Sequence, residues 1–278
     1  MDGILVAAAL ASAFLHAAWN AAVKATPRPA EAMAGQMIMA GVISVPILLW
    51  TGLPDAAALK WVALSSTINA FAVATMLRAY DAAGYGVVYP VGRAVSVMIV
   101  LPMAALLLGE RMGPAAIAGV AMIASSLALL AASARGERGI PARGLAWTIA
   151  SGICIALYVL CDAQGVRASG SALAYGCLAS IANGAVMAWR QRHLGNPVQL
   201  VASFPAITVV AGFASMASYL LILWAWDRGP IAPAAALRDT SAIFALLIAV
   251  FWLKEPFDRL RIAAVLLSAA AVPLLRLG

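Results

Sequence analysis

Two arginines lie inside long apolar stretches of this sequence, where a charged side chain needs a specific reason. Arg93 and Arg238 each come a few residues after a proline, in Tyr89-Pro90-Val-Gly-Arg93 and Pro233-Ala-Ala-Ala-Leu-Arg238. A charge at the centre of a membrane-spanning helix costs at least about 2.5 kcal/mol. A guanidinium group donates paired hydrogen bonds to a carboxylate or a phosphate. Two arginines that meet inside a membrane therefore predict a site for an anionic group.

Polar side chains accompany both arginines, namely Ser96 after the first, and Asp239 and Ser241 after the second. Adjacent residues diverge by about 100° on a helix, so the partners of Arg238 and Asp239 are expected on other helices. One carboxylate is expected to balance part of the positive charge. The alternative is that Arg93 reaches the membrane surface and that Asp239 or Asp162 neutralises Arg238.

A second set of polar and aromatic residues lies in the first and sixth apolar segments. His16, Trp19 and Asn20 share one helical face, and Tyr158 and Asp162 are one turn apart. A single histidine in such a segment is more often a packing residue. Polar and aromatic side chains on one stripe instead indicate a cavity to which both segments contribute.

The chain around these residues has the composition of a membrane protein. Hydrophobic residues make up 64% and charged residues 10% of the 278 positions. Most of its ten apolar segments reach the length that crosses a bilayer as a helix, which predicts an all-α membrane protein. They run near residues 3–23, 32–51, 60–80, 86–108, 114–133, 144–163, 172–189, 205–226, 230–252 and 260–277.

The second half of the sequence repeats the first. A shift of 145 residues that places Arg93 on Arg238 also places Ser96 on Ser241 and, without a gap, Glu110 on Glu255. A five-helix unit crosses the membrane an odd number of times, so two copies have opposite orientations. We therefore predict a 5+5 inverted-topology repeat, the architecture of secondary transporters. The repeats are residues 1–138 and 139–278 within one membrane domain.

Lysine and arginine in short loops indicate the orientation of the chain, because cytoplasmic loops carry the excess. Counting the links between segments in order, the odd-numbered connections hold eleven basic residues, and the even-numbered connections and termini hold five. This predicts cytoplasmic odd-numbered connections and termini outside. Because the two halves of one chain already form a closed pathway, a monomer is expected to suffice for transport.

Other functions find little support in the sequence. The formal charge of +7 is spread over short loops, so no basic domain could bind nucleic acid. The cysteines Cys154, Cys161 and Cys177 lack metal-ligand spacing, so no metal site is expected. Since the sequence has no cofactor loop or nucleophile motif, we expect neither a cofactor nor an enzyme.

The remaining polar and aromatic residues have structural interpretations. Tyr80, Tyr85, Trp224 and Trp226 lie at segment ends, where aromatic anchors are expected. Gln36, Asn69 and Asn183 are expected to form interhelical hydrogen bonds, with cavity lining as the alternative. Glu110 and Glu255 are expected to pair with their neighbours Arg111 and Lys254.

Several short motifs follow one another in a recognisable order. They are His16-Ala-Ala-Trp19-Asn20 with Lys24, Tyr89-Pro90 with Arg93, Leu-Leu-Leu-Gly109-Glu110-Arg111, Leu237-Arg238-Asp239-Thr240-Ser241 and Leu253-Lys254-Glu255-Pro256. With the repeat, this order resembles the EamA-type transporters of the drug/metabolite transporter superfamily over essentially the whole chain. The resemblance implies a ten-helix exporter of small metabolites in a bacterial inner membrane. The aromatic amino-acid exporter branch is the member class we favour.

From the resemblance and the residues together we expect export of amino acids with apolar or aromatic side chains. Arg93 or Arg238 would hold the carboxylate, and Trp19, Tyr89 and Tyr158 would contact the apolar side chain. The ammonium group would be accepted by His16, Asn20 or Asp239. Proline removes a helix hydrogen bond, so Pro90 and Pro233 are expected to open their helices beside the arginines and to gate opposite sides.

The alternatives differ in the charge that the cavity must carry. Efflux of lipophilic cations would need an unpaired carboxylate, against which the two arginines argue. Export of another anionic metabolite would use the same arginines. An intramembrane enzyme with His16 and Asp162 as acid and base is the least supported. The first segment also lacks the glutamate of the small four-helix multidrug members, which leaves Asp162 or Asp239 as intramembrane proton carriers.

Overall fold

A computed structural model describes residues 1–83, 85–133, 141–253 and 259–277. Within these ranges the regular structure is entirely helical. The helices are α1 (Gly3–Lys24), α2 (Pro29–Thr51), α3 (Ala56–Ala83), α4 (Tyr85–Leu108), α5 (Pro114–Ser133), α6 (Ala142–Arg167), α7 (Ala172–Arg190), α8 (Pro197–Ala202), α9 (Pro205–Arg228), α10 (Ile231–Asp239), α11 (Ser241–Leu253) and α12 (Arg259–Leu277). The predicted repeat boundary at residues 138 and 139 lies outside these ranges, as do Lys254, Glu255 and Pro256.

Ten segments of the described chain are long and apolar enough to cross a membrane, with α10 and the start of α11 forming one of them. The prediction of an all-α membrane protein with ten spans is confirmed. The six-residue α8 lies in the link between α7 and α9 and is too short to span. Large apolar side chains such as Trp50, Leu106 and Phe251 point outward, as they would toward lipid.

The ninth span is interrupted at Thr240 and not at its proline. Thr240 separates α10 from α11, and its hydroxyl donates to the Leu237 carbonyl at 2.6 Å. Pro233 lies in the first turn of α10, where backbone N–H groups need no helical partner, so it removes no hydrogen bond. The expectation that Pro233 opens the helix is therefore wrong. Pro90 lies inside the uninterrupted α4.

The helices pack in pairs that join the two halves of the chain. α1 packs on α9, α2 on α7, α3 on α6 and α5 on α12. Small residues allow the close approach: a Cβ on Gly184 of α7 would lie 2.8 Å from the Met37 carbonyl oxygen of α2. Between α1 and α9, the Ser12 and Ser218 hydroxyls each donate to the other's carbonyl, at 2.6 and 2.8 Å.

Contacts between the connections sort them into two faces. The Met1 amino group donates to the Arg276 carbonyl at 2.7 Å, so both termini lie on one face, as an even number of spans requires. The second and sixth connections also meet, through Asp55 N–H and the Ser169 carbonyl at 3.1 Å. On the other face, the seventh connection meets the first turn of α2, where Ser203 donates to Glu31 at 3.1 Å.

Candidate functional site

A cavity of about 420 Å³ lies between the helices. Eight of the residues predicted for the site line it: His16, Trp19, Asn20, Tyr89, Arg93, Tyr158, Asp162 and Arg238. The other three, Ser96, Asp239 and Ser241, are buried beside it. Helices distant in sequence thus bring the predicted polar clusters to one place.

The cavity reaches one face of the protein. Lys24, Pro29, Tyr80 and Gln191 line it, and they lie at or near helix ends that meet odd-numbered connections. Among the described residues, no lining residue lies in the terminal turn at the even-numbered face. The cavity therefore extends to the odd-numbered face and stops short of the other.

Arg93 is held by an ion pair. Its guanidinium donates to Asp239 at 2.8 Å and contacts His16 Nε2 at 3.0 Å, while the Tyr89 ring lies 5.2 Å from its terminal carbon. The Tyr89 hydroxyl lies 3.1 Å from the Ser241 hydroxyl, which connects α4 to α11. Arg93 therefore does not reach the membrane surface. Its positive charge is balanced inside the protein.

Arg238 has a different environment. It lines the cavity, is 7% exposed, and forms no ion pair and no side-chain hydrogen bond with the described residues. Its Nε atom is buried without a partner. Neither Asp239 nor Asp162 forms the ion pair with it that was the alternative interpretation. Arg238 is therefore a buried cation beside the cavity that interacts with Asp162 and Asp239 through its charge but forms no ion pair with a described side chain.

Asp162 has hydroxyl partners. It accepts hydrogen bonds from Tyr175 at 3.0 Å and from Tyr219 at 2.8 Å, and Ser65 provides a third. Tyr219 also lines the cavity. It was missed from the sequence because a single tyrosine in an apolar segment carries no pattern that indicates a site.

The structure also places the residues that were expected to form interhelical hydrogen bonds or aromatic anchors. Asn69 donates to Asn183 at 3.2 Å across α3 and α7, and both line the cavity, so the two interpretations of these amides hold together. Gln36 and Tyr80 also line it. Trp226 is fully buried and is not a surface anchor, because the helices around α9 enclose it. The side chain of Tyr85 lies outside the described part of the chain.

Glu110 has other partners than the expected Arg111. It forms an ion pair with Arg167 at 3.2 Å and accepts hydrogen bonds from the Ile231 and Ala232 N–H groups at 2.7 and 3.3 Å. The expectation was wrong because the fold brings the N-terminus of α10 against the end of α4. The pairing predicted for Glu255 lies outside the described residues.

Comparisons with known proteins agree with this architecture. Residues 3–132 and 142–277 each match the profile of the EamA-like transporter family. One solved structure, titled "Crystal structure of protein", has a TM-score of 0.74 at 18% sequence identity, with 98% of this chain and 95% of that chain covered. At that identity the similarity concerns the fold. No curated protein matches the chain significantly.

The family match covers nearly the whole chain and points to a transporter of small molecules and not to an enzyme. The ten apolar helices make the protein a multi-pass membrane protein. The chain belongs to the EamA-like transporter family of the drug/metabolite transporter superfamily.

Proposed function

We propose that the protein exports small carboxylate-bearing metabolites from the cytoplasm, above all amino acids with apolar or aromatic side chains. The observation that carries this proposal is Arg238, a buried guanidinium that lines the cavity and has no ion-pair partner among the described residues. Leaving a charge buried and unpaired is unfavourable unless a ligand compensates it. A substrate carboxylate would do so with paired hydrogen bonds.

The contacts of Arg93 favour a role in positioning other side chains and not in binding the substrate. Its guanidinium is already engaged by Asp239 and His16, at 2.8 and 3.0 Å. Arg93 therefore has fewer guanidinium N–H groups free to bind a substrate than Arg238 has. Of the two arginines, we therefore assign the carboxylate to Arg238 and the positioning of His16 to Arg93.

The rest of the lining fits an apolar side chain on the substrate. Five aromatic residues and five methionines contribute to it, namely Trp19, Tyr80, Tyr89, Tyr158, Tyr219, Met33, Met37, Met76, Met187 and Met216. The volume of about 420 Å³ is within the range of small-molecule sites. Methionine is flexible and polarisable, so such a wall adapts to side chains of different shape. This favours aromatic and larger aliphatic amino acids.

Efflux of lipophilic cations is less compatible with these contacts. It would need a carboxylate free to bind a positive charge. Asp239 is paired with Arg93, and Asp162 accepts hydrogen bonds from Tyr175 and Tyr219. Arg238 and Asp162 both line the cavity without an ion pair among the described residues, but Asp162 has hydroxyl partners and the Nε of Arg238 has none.

Transport would proceed by alternating access of two inverted halves. In the proposed repeat, α1, α2, α3 and α5 correspond to α6, α7, α9 and α12. The α1–α9 contact then corresponds to the α6–α3 contact, and the α2–α7 and α5–α12 contacts each join a helix to its own counterpart. This symmetry of the contacts supports the repeat. The excess of basic residues supports a cytoplasmic odd-numbered face, to which the cavity extends. We place the protein in a bacterial inner membrane, with one copy sufficient and with Pro90 and Pro233 on the moving helices.

Efflux from proteoliposomes preloaded with labelled phenylalanine tests the proposal. We expect saturable efflux by the wild type and at least about a tenfold loss in kcat/KM for Arg238→Gln, since a hydrogen bond to a charged group contributes about 1.5–3 kcal/mol. Arg192→Gln, an exposed arginine outside the cavity, is the matched control. Equal efflux by Arg238→Gln and the wild type would remove Arg238 from the site. Absence of efflux for every amino acid would reject the substrate class.

A further inference from the structure

Three residues that line the cavity each have a buried polar atom without a hydrogen-bond partner in the described protein. These atoms are the Nε1 of Trp19, the Nε of Arg238 and the Oε1 of Gln36. A buried polar group without a partner costs about 1–3 kcal/mol, so such groups in a native structure need an explanation. Two of these atoms are donors and one is an acceptor. A ligand that satisfies all three would need acceptors for the two donors and a donor for the acceptor.

The acceptor lies on an otherwise apolar helix face. Pro29, Met33, Met37 and Ala40 line the cavity from α2, and Gln36 lies among them. Gln36 is 2% exposed, and its Nε2 donates to the Met33 sulfur at 3.6 Å, which leaves Oε1 as the unpaired atom. It lies seven residues beyond the start of α2, about 10 Å along the helix. The Oε1 atom is buried there, and no described group donates to it.

Two of the three residues expected to bind an ammonium group, His16 and Asp239, are engaged within the protein. His16 and Asp239 both contact Arg93, and Asp239 does not line the cavity. Asp162 accepts hydrogen bonds from Tyr175 and Tyr219. The Asn20 Nδ2 donates to the His16 carbonyl at 2.8 Å, a bond that does not involve its acceptor, Oδ1. Gln36 Oε1 is the buried acceptor in the described lining that lacks any partner.

We propose that Gln36 is a specificity-determining residue whose Oε1 accepts a hydrogen bond from the amino group of the substrate. This inference rests on the proposed function, in which Arg238 holds the carboxylate. It assigns the recognition of the amine to α2 and the recognition of the acid to α10. The transporter would then distinguish amino acids from carboxylates that have the same side chain but no amine.

Paired substrates test this assignment directly. Efflux of labelled phenylalanine is compared with that of 3-phenylpropionate, which lacks the amine, and leucine is compared with 4-methylpentanoate. The variants are Gln36→Met, which has similar length but no acceptor, and Gln36→Glu, which keeps an acceptor. Met39→Leu, at a position of α2 that does not line the cavity, is the matched control.

We expect the wild type to prefer the amino acid of each pair. Gln36→Met should raise KM for phenylalanine and leucine about tenfold and leave KM for the two carboxylates unchanged, since a hydrogen bond to a charged donor is lost. Gln36→Glu and Met39→Leu should keep the preference for the amine. Transport of 3-phenylpropionate by Gln36→Met would itself demonstrate that this variant is folded.

Three results would overturn the assignment, and the third would also reject the proposed function. Equal KM values for phenylalanine and 3-phenylpropionate in the wild type, or an equal loss of both in Gln36→Met, would reject the role of Gln36 and leave Arg238 as the carboxylate site. Absence of efflux for all four compounds from the wild type would reject the proposed function together with the role of Gln36.

Discussion

Two arginines at equivalent positions of the two halves have different electrostatic environments. Arg93 is paired with Asp239 at 2.8 Å, whereas Arg238 lines the cavity without an ion pair among the described residues. The asymmetry arises because the second half has a carboxylate beside its arginine and the first half has Ala94. Asp239 points across to α4 and not along its own helix. One guanidinium therefore forms an ion pair inside the protein, and the other forms none with the described residues.

Asp239→Asn is expected to destabilise the protein, because it leaves Arg93 as a buried charge without its carboxylate. Removing one partner of a buried ion pair costs about 3–5 kcal/mol. Thermal unfolding in detergent, followed by size-exclusion chromatography, measures the effect. Asp227→Asn changes an exposed carboxylate and is the control. If both variants unfold at the same temperature, the Arg93–Asp239 pair does not contribute to stability.

The helix α10 depends on a residue from another part of the chain. It begins after Pro230 and has no side-chain cap of its own. Glu110 provides one by accepting from Ile231 N–H at 2.7 Å, and Arg167 holds both Glu110 and the Gly229 carbonyl, at 3.2 and 2.8 Å. A negative charge at a helix N-terminus is stabilising. Because α10 also carries Arg238, this contact helps to position the site.

Glu110→Gln is expected to lower stability by about 1–2 kcal/mol, since it removes the charge at the N-terminus of α10 and the ion pair with Arg167. It should also reduce the rate of phenylalanine efflux. Thermal unfolding and efflux assays measure the two effects. Asp81→Asn, at an exposed position near the other face, is the control. Wild-type stability and efflux in Glu110→Gln would exclude a role of this cap.

Across the whole molecule, the termini and even-numbered connections contact one another on one face and the cavity extends to the other. The Met1 amino group meets the Arg276 carbonyl at 2.7 Å, and Asp55 meets Ser169 at 3.1 Å. A cavity that reaches one side alone corresponds to one state of an alternating-access cycle. With the proposed orientation, this state is the one in which an exporter loads its substrate.

Labelling with a membrane-impermeant thiol reagent tests the orientation. In a background with Cys154, Cys161 and Cys177 replaced by alanine, Leu53→Cys lies in an even-numbered connection and Leu194→Cys in an odd-numbered one, both at exposed positions. In intact cells we expect labelling of Leu53→Cys but not of Leu194→Cys. After permeabilisation both should react. The reverse pattern in intact cells would invert the proposed orientation and turn the cavity outward.

The sequence by itself determined the class of the protein and the number of spans. Length and hydropathy of each segment are local properties, because a helix in lipid must satisfy its own backbone groups. For the same reason the buried arginines stood out: a charge in an apolar segment is visible without knowing what surrounds it. Eight of the eleven residues chosen from such patterns line the cavity.

The tertiary structure decided which of these residues are partners. Arg93 and Asp239 are 146 residues apart, Glu110 and Ile231 are 121 apart, and Tyr219 and Asp162 are 57 apart. No local pattern encodes such pairs, since they depend on how the helices pack. The packing engages His16 and Asp239 with Arg93 and leaves Arg238 and the Gln36 oxygen without described partners in the cavity. Side chains of similar chemistry thus acquire different roles, because only packing determines which polar groups are already satisfied.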